Sequence, residues 1–327
     1  MIPERAVNAA LLALLVLGPL AAVWAGEIFT VTLATRAVIF AIAAAGLNIA
    51  LGLGGLVSLG HAVFFGIGGY AMGILAFHAQ TFTPLLEGVV TIQGTKSMPV
   101  IWLIAVIASA LAAALIGLLS LRTSGVYFIM ITLAFGQMFY YFSISWPAYG
   151  GEDGLSIWVR NDFPGLNTLD PIQFYFLCLA ILLAVLWLTA RLARAPFGLA
   201  LNAARQVPAR VEAVGLDPFR LKLAAFTLSG AITGLAGALF ADLNRFVSPT
   251  MFSWQMSGEI MIFVILGGVA RLFGPVAGAV AFVALEHLLG GLSDYWLAFL
   301  GLLLLLIVLF ARGGLVGLAA GRGAVHG

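Results

Sequence analysis

Side chains able to do chemistry are scarce in this chain, and their placement says more than their number. Asn48, Ser58 and His61 stand together in one glycine-rich apolar run, and Glu259 stands in a later one. A histidine can relay protons, yet no chain of acidic partners surrounds His61, so packing and lining a solute path both stay open for it. Glu259 is open between a polar structural partner and a solute contact. Phosphate-loop GxxxxGK[ST], HExxH, paired aspartates and a Ser/His arrangement are all missing, which argues against an NTPase, a zinc protease or an intramembrane hydrolase. The single cysteine, Cys178, lies inside FYFLCLAILLAVLWL and excludes an internal disulfide. It reads as a small buried hydrophobe, and no metal-ligand spacing is present. No catalytic residue and no metal ligand is assigned.

The elements that must carry these residues follow from composition. The chain is 63% hydrophobic and 9% charged over 327 residues, against about 45–50% and 25% for soluble domains. Its apolar residues come in blocks of roughly 18–22, enough to cross about 30 Å of hydrocarbon as helix. In lipid the backbone must satisfy itself, so the blocks are helices. The expected class is an all-α polytopic membrane protein with about ten crossings, at 8–25, 31–52, 58–78, 100–121, 124–144, 171–190, 221–241, 255–270, 274–291 and 295–311. The first block also has the charged start and small residues of a cleavable signal peptide. A net charge of +2 gives no basis for a nucleic-acid partner. Membrane lipid is the expected surrounding.

Lys and Arg mark the cytoplasmic side. Residues 191–222 hold Arg191, Arg194, Arg205, Arg210, Arg220 and Lys222, six of the fifteen basic residues, so this loop is expected inside. Residues 145–170, with Glu152, Asp153, Asp162 and Asp170 against Arg160, then fall outside as a periplasmic loop. Arg5, Arg122, Arg312 and Arg322 fall inside, whereas Arg36, Lys96 and Arg245 fall outside. Both termini are expected in the cytoplasm.

The basic loop is more than polar filler. Phe197-Gly198 opens a helical stretch carrying Leu199, Leu201 and Arg205. After Pro208 a short helix over 209–214 stops at Gly215, and Asp217-Pro218 starts the next one. The loop displays Arg205, Arg210 and Glu212, and serves either to rest on lipid headgroups or to dock a cytoplasmic protein.

Residues 46–73 contain nine glycines, at 46, 52, 54, 55, 60, 66, 68, 69 and 73. Each costs about 1 kcal/mol in a helix relative to Ala. The compensation is close helix approach or a broken helix that exposes backbone to a solute. Gly66, Gly69 and Gly73 form a small-residue face, while Gly52-Leu53-Gly54-Gly55 interrupts the helix. A second interruption, Gly267-Gly268 with Gly274-Pro275, brackets a tight cytoplasmic turn carrying Arg271. Glu286 and His287 sit near the outer end of their block, where snorkelling to the interface accounts for them.

Three runs carry a family resemblance: GLNIALGLGGLVSLGHAVFFGIGGYA at 46–71, RAPFGLALNAARQVPARVEAVGLDPFRLKLAAFTLSGAITGLAGALFA at 194–241, and FVSPTMFSWQMSGEIMIFVILGG at 246–268. Together they resemble the LivM-type permeases of bacterial branched-chain amino-acid ABC importers. The resemblance implies one ten-helix permease domain over 1–327 in the inner membrane, paired with a LivH-type permease. Two cytoplasmic ABC ATPase subunits that bind the ATP and a periplasmic solute-binding protein complete the importer; this chain itself needs no cofactor. It places Arg205, Arg210, Glu212, Ala213 and Gly215 in the ATPase-coupling loop. Asn48, Gly54, Ser58, His61, Phe64, Gly68, Tyr70 and Glu259 are the expected translocation pathway. One departure is Ala270, where the family's turn has glycine. Branched-chain amino acids are the expected solutes, with urea, short amides or aromatic acids as alternatives. An ion-coupled secondary transporter would need midplane acidic groups, for which Glu259 alone is a candidate.

Overall fold

The computed structural model describes residues 4–86, 92–291, 298–302, 304–305 and 313–320. The helices are α1 Glu4–Trp24, α2 Ile28–Asn48, α3 His61–Thr81, α4 Met98–Ser120, α5 Val126–Ile144, α6 Pro171–Arg194, α7 Pro196–Gln206, α8 Pro208–Ala213, α9 Pro218–Asn244, α10 Trp254–Gly267, α11 Gly274–Gly290 and α12 Gly314–Ala320. A π turn, Ile49–Leu53, extends α2. Two short antiparallel pairs, β1 (Pro84–Leu86) with β2 (Ile92–Gln93) and β3 (Leu155–Ser156) with β4 (Phe246–Val247), are small additions to the helical plan.

Burial sorts the helices into an inner and an outer set. Every residue of 37–48 in α2 is buried, as expected for a helix apolar all round. Phe40 of α2 meets Phe240 of α9 and Phe263 of α10 at ring separations of 5.3 and 5.2 Å. In contrast α4 leaves Leu103, Ile107, Leu111, Leu115 and Leu119 exposed, a stripe at four-residue spacing on one face. α5 likewise exposes Tyr127, Met130, Met138 and Tyr141. In water such faces would be aggregation surfaces; in lipid they are solvated.

The junction of α3 and α9 is built on glycine. A Cβ at Gly68 would collide with the main chain of Gly234, and one at Gly237 with that of Phe65. The two backbones therefore touch directly. The expected face of Gly66, Gly69 and Gly73 is real but has another partner. It receives Phe252, Met251 and Val247 from the segment between α9 and α10, because those three positions point one side of α3 while Gly68 points another.

Among the described residues, seven helices, α1 to α6 and α9, are long and apolar enough to cross a membrane. The expected crossings at 255–270 and 274–291 are the shorter helices α10 and α11, of 14 and 17 residues. At 1.5 Å per residue they reach about 21 and 26 Å, short of a full hydrocarbon core. α10 has local signals at both ends: Ser253 caps its start by accepting from Met256 N–H at 3.3 Å, and Gly268 ends it at φ 124°. The tenth block, 295–311, lies largely outside the described residues. The first block is held in the bundle: the Tyr175 hydroxyl of α6 donates to the Leu15 carbonyl at 2.5 Å, and Glu4 pairs with Arg271 at 3.1 Å.

Two ends of the bundle are distinct. One collects the start of α1, the break after α2, α7 with α8, and the α10–α11 turn. The other collects the segments 82–86 and 92–97 and the connections 145–170 and 245–253. There the Asp162 carbonyl accepts from Met98 N–H at 2.9 Å, the Ile157 amide donates to the Arg245 carbonyl at 2.9 Å, and β3 pairs with β4.

Candidate functional site

The break after α2 organises the first end. After Asn48 the chain widens into the π turn, Gly54 caps it, and Gly55 takes φ +69°. Three contacts hold the irregular segment up to α3. Ser58 Oγ accepts from Gly60 N–H at 3.2 Å, and Ser257 Oγ of α10 accepts from Ala62 N–H at 2.8 Å. His61 Nε2 meets Ser229 Oγ of α9 at 2.8 Å, with its ring edge-on to Phe64 and Phe226. A helix start buried without such partners would leave amide donors unpaired.

Asn48 performs a specific task. Its Nδ2 donates to the Arg271 carbonyl at 3.0 Å, and its Oδ1 accepts from Ala270 N–H at 3.0 Å. This bidentate grip fastens the end of α2 to the turn between α10 and α11. Ala270 sits there at φ 63°, a left-handed conformation that costs an L-residue roughly 1–2 kcal/mol. The alanine that departs from the glycine pattern is thus in the very conformation a glycine would favour, and Asn48 holds it.

Asn48, Ser58, His61 and Phe64 are buried at 4% or less, and Gly68 is in backbone contact with α9. These five frame the break within the chain's own core. Gly54 lies on the edge of a cavity of about 180 Å³ that also touches Gly55, Ser124, Arg205 and Lys222. Tyr70 stands apart from the others: it stacks on Phe252 at 5.2 Å and lines an open, aromatic groove of about 220 Å³ with Ile74, Phe139, Phe142 and Trp146. Its hydroxyl is buried on the side of Ser143 and does not face the groove. Glu259 is half-buried on α10, within electrostatic reach of Arg36 and Glu286.

The loop between α6 and α9 folds as the turn chemistry of its sequence requires. Asp217 accepts from Phe219 N–H at 2.9 Å and caps α9. Gly215, at φ 88°, closes α8 with two main-chain bonds, Gly215 N to Glu212 O at 2.9 Å and Leu216 N to Val211 O at 3.1 Å, the paired pattern of a left-handed helix stop. Arg210, Glu212 and Ala213 are exposed, and so are Leu199, Val214 and Leu216 at 63%, 80% and 46%. Arg205 is exposed as well, but its head group makes an inward contact. It turns back into the bundle, where Nη1 donates to the Gly52 carbonyl at 2.6 Å.

Two polar clusters escaped the sequence reading. Arg36 lies within α2, not in a loop, and pairs with Glu286 of α11 at 3.0 Å, so Glu286 is held by an ion pair where snorkelling was expected. At the opposite end Asp242, 2% exposed, accepts from the main-chain and side-chain N–H groups of Asn161 at 3.3 and 3.0 Å. Arg160 donates to the carbonyls of Thr168 and Leu243 at 2.8 and 3.1 Å and lies 4.6 Å from the Phe174 ring. Burial pulls its pKa below the ordinary value, and nearby Asp242 acts in the other direction. Asp242 fell one residue beyond an apolar block that ends at 241; a carboxylate in the last turn of a spanning helix, facing the lone cation of the 145–170 loop, was the signal.

Apolar helices with lipid-type faces, a glycine-welded centre and a folded polar loop at one end define a multi-pass membrane protein. Over residues 29–308 the sequence matches the family described as branched-chain amino acid transport system / permease component, and the chain belongs to that family. It is 31% identical over 312 residues to the high-affinity branched-chain amino acid transport system permease protein LivM of Escherichia coli (strain K12), covering 88% of this chain and 70% of that protein. The LivM of Salmonella typhimurium is 30% identical over the same shares. A probable LivH permease of Methanocaldococcus jannaschii is 27% identical over 193 residues, 56% of this chain and 58% of that one. No solved structure matches.

Proposed function

We propose that this chain is the membrane-spanning permease subunit of an ATP-driven importer of branched-chain amino acids in the bacterial inner membrane. It pairs with a LivH-type permease, receives solute from a periplasmic binding protein, and is driven by two cytoplasmic ATPase subunits. The α7–α8 end is the cytoplasmic end, and both termini lie there. Arg210, Glu212, Ala213 and Gly215 belong to the ATPase-coupling loop. The pathway is built on the frame around Asn48, Gly54, Ser58, His61, Phe64 and Gly68, with Tyr70 and Glu259 nearer its outer mouth.

The observation that carries the ATP-driven reading is the surface of α7 and α8. Leu199 on α7 and Val214 and Leu216 at the Gly215 stop after α8 are exposed in the same loop as Arg210 and Glu212. Exposed apolar residues rimmed by charges mark a protein contact. A contact of a few kcal/mol that differs between inward- and outward-facing states is enough to shift their populations. The aromatic groove at Tyr70 supports an aliphatic solute, because its exposed lining is almost wholly apolar. The Arg36–Glu286 pair beside Glu259 leaves that carboxylate accompanied by a cation, which disfavours a lone ion-coupling acid.

The test is leucine uptake by the reconstituted complex. Arg210→Ala with Glu212→Ala is expected to lower uptake per ATP hydrolysed by about tenfold, the equivalent of ~1.4 kcal/mol. Leucine, but not urea, is expected to compete for uptake. Unchanged coupled transport in the double variant, or urea blocking where leucine does not, would overturn the corresponding part of the proposal.

A further inference from the structure

We infer that Arg205 is a positioning residue that carries movement of α7 to the helix break at 49–60, and not a contact for the docked ATPase. The inference rests on the ATP-driven reading above and adds to it the route by which a displacement of the loop reaches the core.

Two independent features of the break meet this one side chain. The first is a freed carbonyl. Around the π turn Gly54 N–H goes to Ile49 O, Gly55 N–H to Leu51 O and Leu56 N–H to Ala50 O, which leaves Gly52 O to accept the Arg205 Nη1 donor at 2.6 Å. A hydrogen bond from a charged donor is among the stronger ones available. The second is an open backbone face. At Gly55, φ +69°, a Cβ would lie 2.8 Å from Arg205 Cγ and 3.0 Å from Cδ. Gly55 therefore supplies both the left-handed turn and the space in which the arginine stem lies. Stem and head together hold both sides of the break.

The connection continues on either side. Leu201 and Ala204 are buried on the inner face of α7, so the helix moves as a body with Arg205 attached to it. Beyond the break, Asn48 fastens the end of α2 to Ala270 and Arg271, and Arg271 reaches Glu4 at 3.1 Å. A shift of α7 pulls at Gly52, and the π turn relays it through Asn48 to the α10–α11 turn. Turns of this kind, with wide backbone bonds and a left-handed residue at Gly55, give way more easily than the welded α3–α9 pair. The exposed partners of the loop, Arg210 and Glu212, receive the load; Arg205 passes it on.

The experiment compares Arg205→Ala, Arg205→Lys and Gly55→Ala in the complete importer in proteoliposomes, reading leucine uptake, ATP hydrolysed, and co-purification of ATPase subunits. For Arg205→Ala the subunits are expected to co-purify in the wild-type ratio while leucine taken up per ATP falls on the order of tenfold, the loss of one hydrogen bond to a charged donor. Arg205→Lys, which keeps the stem and a donor, is expected to recover part of the ratio. Gly55→Ala, which displaces the stem, is expected to lose coupling as Arg205→Ala does. Loss of ATPase subunits from Arg205→Ala would make it a docking residue and overturn the inference, as would unchanged coupling. Equal loss in Arg205→Ala and Arg205→Lys together with a lowered Tm in both would reduce Arg205 to a structural prop and also overturn it. Failure of the wild-type complex itself to bind ATPase subunits would instead sink the ATP-driven reading.

Discussion

Glycine is concentrated in two neighbouring regions of this molecule and does opposite work in them. Along α3 and α9 it removes side chains so that two regular helices touch: the Cβ positions of Gly68 and Gly237 are already filled by main-chain atoms of the other helix. In the segment from Gly52 to Gly60 it permits an irregular backbone, with a π turn and a left-handed residue at Gly55. The first arrangement has no slack, because a carbonyl held by its own helix cannot step aside. The second is held by side chains reaching in from elsewhere, Arg205, Ser257 and Ser229, and by Asn48 reaching out from its start to the α10–α11 turn. A transporter needs both a part that stays and a part that yields. The contrast assigns the staying part to α3 with α9 and the yielding part to the break with its attached turn.

The strongest way to break this comparison is at Gly68. Gly68→Ala would drive a methyl group into the Gly234 carbonyl. Overpacking costs about 1–3 kcal/mol where side chains can adjust, and here a backbone must move, so the upper end of that range or outright loss of the folded protein is expected. Gly258→Ala, with nothing near its Cβ, is the matched control and is expected to be neutral or slightly stabilising. Thermal unfolding in detergent reads both. A Gly68 variant as stable as the control would mean that the α3–α9 contact is pliable.

The expected division between close approach and broken helix was legible because it depends on local spacing: clustered Gly-x-Gly-Gly stops a helix, and isolated glycines at three- and four-residue intervals line a face. The loop around α7 and α8 was legible for the same reason, since Pro208, Gly215 and Asp217-Pro218 act within a few residues of themselves. What could not be read was the partner across the fold. The face of Gly66, Gly69 and Gly73 awaits residues 247, 251 and 252, and Arg205 turns inward for a carbonyl 153 positions earlier. Nothing in the arginine's own neighbourhood foretells that carbonyl, because it is freed only once the π turn forms. The shortness of α10 and α11 was legible, since the apolar blocks at 255–270 and 274–291 are themselves among the shortest and the helices fill them to within a few residues.

Among side chains that hold the yielding region, Asn48 has the most at stake. Asn48→Ala strands the Ala270 N–H and the Arg271 carbonyl together. An unpaired buried polar group costs about 1–3 kcal/mol, and part of this is recovered wherever water enters, so a loss of about 2 kcal/mol is expected in equilibrium unfolding. Hydrogen exchange at the α10–α11 turn is expected to rise while exchange in α3 and α9 stays slow. If protection fell equally in both regions, the break and the welded pair would be one mechanical unit and the comparison would fail.

The smallest effect is the most discriminating, because its sign is opposite. Ala270 is an L-residue at φ 63°, and Ala270→Gly relieves a cost of roughly 1–2 kcal/mol while conferring extra freedom on the unfolded chain. A net gain of about 0.5–1 kcal/mol in stability is expected, seen as a higher Tm. The gain depends on the amide of Asn48 enforcing that conformation, so in an Asn48→Ala background the turn can relax and the benefit of glycine should shrink. Residues sharing one network are non-additive in this way. A gain of equal size in both backgrounds would mean that the turn keeps its left-handed residue without Asn48, and that the end of α2 is not what holds it.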